Sequence, residues 1–246
     1  FHPELTSRAG QNVLLTGRDQ NRARTTTAFI VMSLLYEALR LGENLSDPLI
    51  TLFAFGLDLP GDDMLNALQQ ALPAGWIRIY RTPEVLEGLS VLSQELGQEY
   101  RQFVILFGLS RARRLLVQQD MYSVPPKNTL LELLRKGPAE GMNFVVWANS
   151  AESFLENYGE ALPAFDHRLV GDIQEEQYSA FTFNPAPGNM KLKNAVYANM
   201  DQEDVKVRLY ERPTEQWIEG YIAQMSQALQ SRLESAQQPA GKNEWW

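Results

Sequence analysis

Apolar residues recur along this chain in two rhythms. Runs of strand length, apolar at nearly every position, alternate with longer stretches whose apolar residues fall three and four positions apart. Continuous apolar runs mark strands buried on both faces. Their alternation with amphipathic helices predicts an α/β fold, a mostly parallel sheet with helices on both faces. The runs predict strands near 12–16, 49–55 (Leu49, Ile50, Leu52, Phe53, Phe55), 76–80, 102–107, 143–148 and 168–171. Helices are expected over about 23–41, 62–72, 83–98, 127–136, 151–158 and 174–181. Thr82 followed by Pro83 reads as an N-cap and a proline at the first helical position, and Leu41-Gly42 and Leu96-Gly97 read as helix ends.

The rhythm changes after the turn-rich stretch Asn184-Pro185-Ala186-Pro187-Gly188-Asn189. Two short strands, 195–199 and 205–210, are expected to pair as a hairpin around Asp201-Gln202-Glu203-Asp204. A helix follows Pro213, over about 214–234. The chain thus divides into an α/β domain over 1–212, a C-terminal helix over 213–236 and a polar tail over 237–246 that ends in Trp245-Trp246. The terminal tryptophans read either as docking on a partner or as docking on the domain itself.

One strand-to-helix junction carries candidate chemistry. Val13-Leu14-Leu15 runs into Gly17 and then into the helical pattern that begins around Ala28 and Phe29, which is the strand, loop, helix order of a phosphate-binding loop. In register with G-x-x-x-x-G-K-[ST], Gly17 takes the first glycine, but Arg22 replaces the second glycine, Ala23 the lysine and Arg24 the hydroxyl residue. The lysine carries charge to the β- and γ-phosphates, and the hydroxyl holds Mg²⁺. Ala23 can do neither, and Thr25 supplies a hydroxyl only in a loop one residue longer. Two readings of the segment stand at this point, an ordinary βα turn and a decayed phosphate loop. Arg22 and Arg24 flank a helix start that favours an anion, so they are candidates for a phosphate or a partner carboxylate; equally, they read as solvated arginines pairing with local acids such as Asp19.

Composition narrows the chemistry. The 246 residues suffice for one large α/β domain, and 44% hydrophobic with 21% charged is a globular balance. With no cysteine, disulfides, thiolate metal sites and cysteine nucleophiles are excluded, and a cytoplasmic location is permitted. The two histidines, His2 and His167, are far apart, which argues against a histidine metal cluster or a Ser-His-Asp triad. A net charge of -8 confines any DNA contact to local basic patches or to a shared assembly. No apolar run reaches the ~18 residues of a membrane span, and there is no basic-then-apolar leader pattern. The first residue, Phe1, is expected of a processed chain or of a domain cut from a longer protein.

The densest basic cluster is Ser110-Arg111-Ala112-Arg113-Arg114. It is a candidate contact for a partner or for DNA, against the reading of a solvated face. Arg135-Lys136 and Lys191 with Lys193 read as solvated, and the acidic clusters Asp62-Asp63, Glu175-Glu176 and Asp201 with Glu203-Asp204 as helix starts and turns. His167 beside Asp166 reads as a hydrogen-bonded structural pair.

A P-loop ATPase also needs an acidic pair at the end of a later strand. Phe103-Val104-Ile105-Leu106-Phe107-Gly108-Leu109 is that strand, with Phe107 and Gly108 where the acids are expected. The order of 11–17, 103–109, 133–150 (Leu-Leu-Arg-Lys-Gly-Pro-Ala-Glu-Gly-Met-Asn-Phe-Val-Val-Trp-Ala-Asn-Ser) and 165–171 (Phe-Asp-His-Arg-Leu-Val-Gly) resembles the motor domains of the FtsK/SpoIIIE branch of HerA/FtsK-type DNA translocases, over roughly 10–212. In that family the third block ends in a Thr-Gln sensor, and Asn149-Ser150 takes its place here.

The resemblance implies a RecA-like P-loop NTPase fold. It looks like the degenerate C-terminal ATPase modules that sit behind an active motor in multi-domain members, such as SpoIIIE-like components of type VII secretion and FtsK-like proteins of bacterial defence. It therefore implies a scaffold, regulator or docking module partnered by an active ATPase, with no cofactor of its own unless the altered loop still takes ATP and Mg²⁺. Two other readings remain. One is an active ATP-dependent translocase motor completed in trans, and the other is a nucleotide-independent protein-binding α/β domain, which would show a sheet order unlike that of RecA-type ATPases.

Overall fold

The computed structural model describes residues 5, 8–41, 45–55, 75–98, 100–118, 124–171, 173–182, 194–209, 214 and most positions of 216–231. The expected helix over 62–72, the turn at 184–189, Lys191, Lys193 and the tail with Trp245 and Trp246 lie outside these residues.

The apolar runs become the strands β1 (Val13–Thr16), β2 (Leu45–Ala54), β3 (Ile77–Arg81), β4 (Arg101–Phe107), β5 (Met142–Ala148) and β6 (His167–Gly171). With β7 (Asn194–Asn199) and β8 (Gln202–Arg208) they form an eight-stranded sheet in the order β3-β2-β4-β5-β1-β6-β7-β8. Pairing is parallel from β3 to β6 and antiparallel over the last three strands. The helices are α1 (Gln20–Leu41), α2 (Val85–Glu95), α3 (Pro126–Lys136), α4 (Ala151–Tyr158) and α5 (Glu175–Phe181).

Because side chains alternate along a strand, each run feeds two cores. Leu14, Val104, Leu106, Phe144, Val146 and Val170 face α2, α3, α4 and α5, while Val13, Leu15, Phe103, Ile105, Phe107, Val145, Trp147 and Leu169 face α1. The described residues of 216–231 are helical, and Trp217 and Tyr221 among them contact α1. There Trp217 lies 5.0 Å from the Phe29 ring, and the Tyr221 hydroxyl donates to Met32 O at 2.6 Å.

Three expected boundaries move. Helix α1 starts at Gln20 rather than near 23, because Asp19 caps it. Thr82 is no N-cap: a 3-10 turn over Thr82–Glu84 precedes α2, and the Glu84 carboxylate accepts from Arg81 N at 2.8 Å. The hairpin turn is Met200-Asp201 alone, and Gln202, Glu203 and Asp204 belong to β8. Their polarity marks an outermost strand facing solvent rather than a loop. Leu96-Gly97 ends α2 as expected, with Gly97 at φ 84°.

Candidate functional site

In an open parallel sheet, ligands bind beyond the carboxyl ends of the strands. Strand β5 lies between β1 and β4, with Thr16 beside Ala148 and Phe107 beside Trp147. Beyond the last rungs Gly17 N donates to Ala148 O at 3.3 Å and Gly108 N to Trp147 O at 3.1 Å. This geometry gathers Gly17, Phe107, Gly108, Asn149 and Ser150, singled out from three separate stretches of sequence, at one sheet edge.

Between β1 and α1 the connection is only Gly17, Arg18 and Asp19. Gly17 has φ 142°, which a residue with a Cβ rarely adopts. Asp19 then turns the chain into the helix: its Oδ1 accepts from Asn21 N and Arg22 N, both at 3.1 Å, and its carbonyl from Ala23 N at 3.0 Å. Its other oxygen pairs with Arg22 Nε at 3.3 Å. Arg22, Ala23, Arg24 and Thr25 therefore lie in the first turns of α1, not in a loop. Ala23 is buried against the core with Leu15, while Arg24 and Thr25 are half-buried.

An aromatic pair fills the floor of the edge. The Phe107 and Trp147 ring centroids are 4.4 Å apart, and the buried indole Nε1 of Trp147 donates to Gly17 O at 2.9 Å. Strand β4 thus offers an apolar ring, and strand β5 an N–H that holds the short connection from below. Beside this floor an open pocket of about 400 Å³, counting solvent-continuous space, runs between α1 and β6-β7. Leu15, Leu169 and Ala195 form apolar walls, and Asp19, Arg22 and Thr26 bring polar groups. The hydroxyls of Thr16 and Thr26, which also line it, are buried without a hydrogen-bond partner among the described residues.

After β4 the chain turns at Gly108 (φ 84°), where a Cβ would stand 3.0 Å from Phe55 O. Two 3-10 turns follow, Leu109–Arg111 and Arg113–Leu115. Leu109, Ala112 and Leu115 are buried at intervals of three, which leaves Arg111, Arg113 and Arg114 exposed on an anchored shelf. Arg114 Nη1 donates to Pro83 O at 2.8 Å. The shelf is tied to the β5 edge through Ser110, whose Oγ donates to Ser150 O at 3.1 Å, and Ser150 in turn caps α4 by accepting from Ser153 N at 3.2 Å. Asn149 Oδ1 is buried without a partner among the described residues.

His167 lies at the opposite, amino end of the strands, away from this edge. Its Nδ1 meets the Tyr197 hydroxyl at 2.9 Å and its Nε2 meets Gln11 Oε1 at 3.3 Å. Gln11 Nε2 donates to Asp166 Oδ2 at 2.8 Å, so Gln11, rather than direct contact, connects His167 to Asp166. Since an amide oxygen only accepts, Nε2 carries a proton. Burial lowers the His167 pKa, against an opposing pull from Asp166. Its neighbour Arg168 is also buried and donates to the carbonyls of Phe165, Leu162 and Phe181, a structural staple that the sequence reading missed.

Sequence reasoning missed Asp19, Trp147 and Thr26 as members of the edge. Asp19 did carry a signal: an aspartate just ahead of a helical run is a preferred N-cap, which places the helix start at Gln20. The residues present do not fit Mg²⁺ with a nucleoside triphosphate. A carboxylate stands at the helix N-terminus, the site lacks the phosphate lysine, and rings occupy the floor where metal-binding acids would be needed. Among the described residues no cluster of His, Asp or Glu is arranged to hold a metal ion.

No protein-family model matches the sequence, and no curated protein matches it. Solved structures match in fold. ATPases 2 and 3 of EssC from Geobacillus thermodenitrificans superpose with a TM-score of 0.59 at 12% identity, over 91% of this chain and 44% of that one. The pCW3 conjugation coupling protein TcpA, determined with ATPγS, gives 0.57 at 11% identity, over 87% of this chain and 64% of that one. The genome packaging NTPase B204 of Sulfolobus turreted icosahedral virus 2, determined with AMPPCP, gives 0.53 at 9% identity, over 83% of this chain and 100% of that one. At these identities the likeness is one of fold, and the fold is that of RecA-like P-loop ATPase domains, as the resemblance implies. This chain spans less than two thirds of the EssC and TcpA chains it matches.

Proposed function

We propose that this chain is a non-hydrolysing module of an FtsK/SpoIIIE/HerA-type ATPase, serving as scaffold, regulator or docking domain within a larger DNA-translocase-like or secretion machine. One observation carries the reading. At the sheet edge where hydrolysis would take place, the groups that meet are a helix end capped by Asp19, the Phe107–Trp147 ring pair and the Asn149-Ser150 corner. None of these supplies phosphate charge, metal coordination or an activated water. The shared fold with EssC, whose matched structure holds more than one ATPase, supports a place beside other modules. The resemblance and the absence of cysteine favour a cytoplasmic setting.

On this reading the preserved asset is surface. Arg111, Arg113 and Arg114 project from a shelf whose own apolar residues are buried, which suits contact with an acidic partner face or with DNA phosphates held by a neighbouring module. The purified chain is expected to release no phosphate from ATP above the buffer rate and to give no binding heat with ATP and Mg²⁺ in calorimetry. Turnover that a chelator abolishes would sink the proposal.

A further inference from the structure

The N-terminus of a long helix attracts an anion, because its first N–H groups lack intrahelical acceptors and its dipole is positive there. In α1 that place is filled from within. Asp19 Oδ1 lies 3.1 Å from two of those N–H groups, and Oδ2 lies 3.3 Å from the Arg22 guanidinium. We propose that Asp19 is a built-in anion at the point where a phosphate would otherwise bind, so that the β1–α1 connection keeps its ligand-bound shape without a ligand. This deepens the non-hydrolysing reading and rests on it.

A second, independent observation shows that the surroundings are those of a ligand site. Thr26, 4% exposed, and Thr16, 7% exposed, line the adjoining pocket, and their hydroxyls have no partner among the described residues. A buried hydroxyl without a partner is costly, so pocket walls that carry two of them are suited to a polar guest. From beneath, the Trp147 indole donates to Gly17 O at 2.9 Å and so restrains the connection. A carboxylate bound to its own helix faces no loss of translational freedom, so it outcompetes a free anion of similar charge.

Removing the carboxylate should therefore expose the latent site. With inorganic pyrophosphate as the probe and calorimetry on the full 246-residue chain, wild type is expected to show no saturable binding. Asp19→Ala should bind at least about ten-fold more tightly than wild type, a shift of about 1.4 kcal/mol. Asp19→Asn, which keeps the capping geometry and removes the charge, should gain in the same direction and decides the matter if Asp19→Ala fails to fold. The double variant Asp19→Ala with Arg22→Ala should lose most of the gain. In ligand-free wild type the amides of Asn21 and Arg22 should exchange with deuterium slowly, and in Asp19→Ala faster.

Wild type binding pyrophosphate as tightly as the variants would overturn the proposal, as would a folded Asp19→Asn that gains nothing. Neither result touches ATP turnover, which tests the function separately.

Discussion

At the scale of single residues, the buried polar groups are the ones with measurable consequences. His167 sits buried between Tyr197 and Gln11, and burial lowers its pKa below the ordinary value of 6.5. The unfolded chain then binds a proton that the folded chain refuses, so stability rises with pH between the depressed folded value and 6.5 and falls as the solution is acidified through that window. Chemical denaturation at a series of pH values should show this slope, and His167→Gln should flatten it. The sequence placed His167 beside Asp166 but could not show Gln11 between them, since Gln11 lies 155 residues from Asp166 in the chain. Asp19 was legible by its type and position. It was read only as an acid pairing with Arg22 and Arg24, because a helix start near 23 left it outside the cap position, whereas the local capping preference decides where the helix begins.

At the scale of elements, the central strands β1, β4 and β5 were the most legible part, because each carries a continuous apolar run whose two faces are covered. What the runs could not reveal is adjacency. Phe107 stood out only as a ring where an acid is expected, and Trp147 read as one more core residue, until the sheet order sets β4 against β5 and brings their tilted rings together beneath Gly17. The strand β8 misled for the opposite reason, since its polar Gln202, Glu203 and Asp204, the first two exposed, imitate a turn. The contact between α1 and the helical stretch within 216–231 was equally hidden. It rests on the Phe29, Trp217 and Tyr221 rings and on the Tyr221–Met32 bond. Tyr221→Ala should lower the unfolding free energy by about 2 kcal/mol, read as a drop in the urea midpoint. Tyr221→Phe, which keeps the ring and loses the hydrogen bond, should cost only about 1 kcal/mol.

For the whole molecule, the proposal is that an ATPase fold survives for the contacts it makes. The arginine shelf then matters more than the sheet edge, so replacing Arg111, Arg113 and Arg114 together by glutamate should leave the melting temperature within a few degrees of wild type. The same replacement should weaken association with a partner ATPase or with DNA at least about ten-fold at low salt, with wild-type binding itself fading as salt screens it. Unchanged association would redirect attention to another face. The outermost strand narrows the choice of face. Along β8, Gln202, Glu203, Lys206 and Arg208 are exposed together with Val205, so charges of both signs stand on the strand. A second chain that tried to add a strand there would have to accommodate these charges while releasing their water. On that side the sheet therefore resists extension by a second copy, which works against open-ended fibres through it. Contacts with other modules are then left to surfaces such as the arginine shelf, where they can be made and broken without unzipping a backbone ladder.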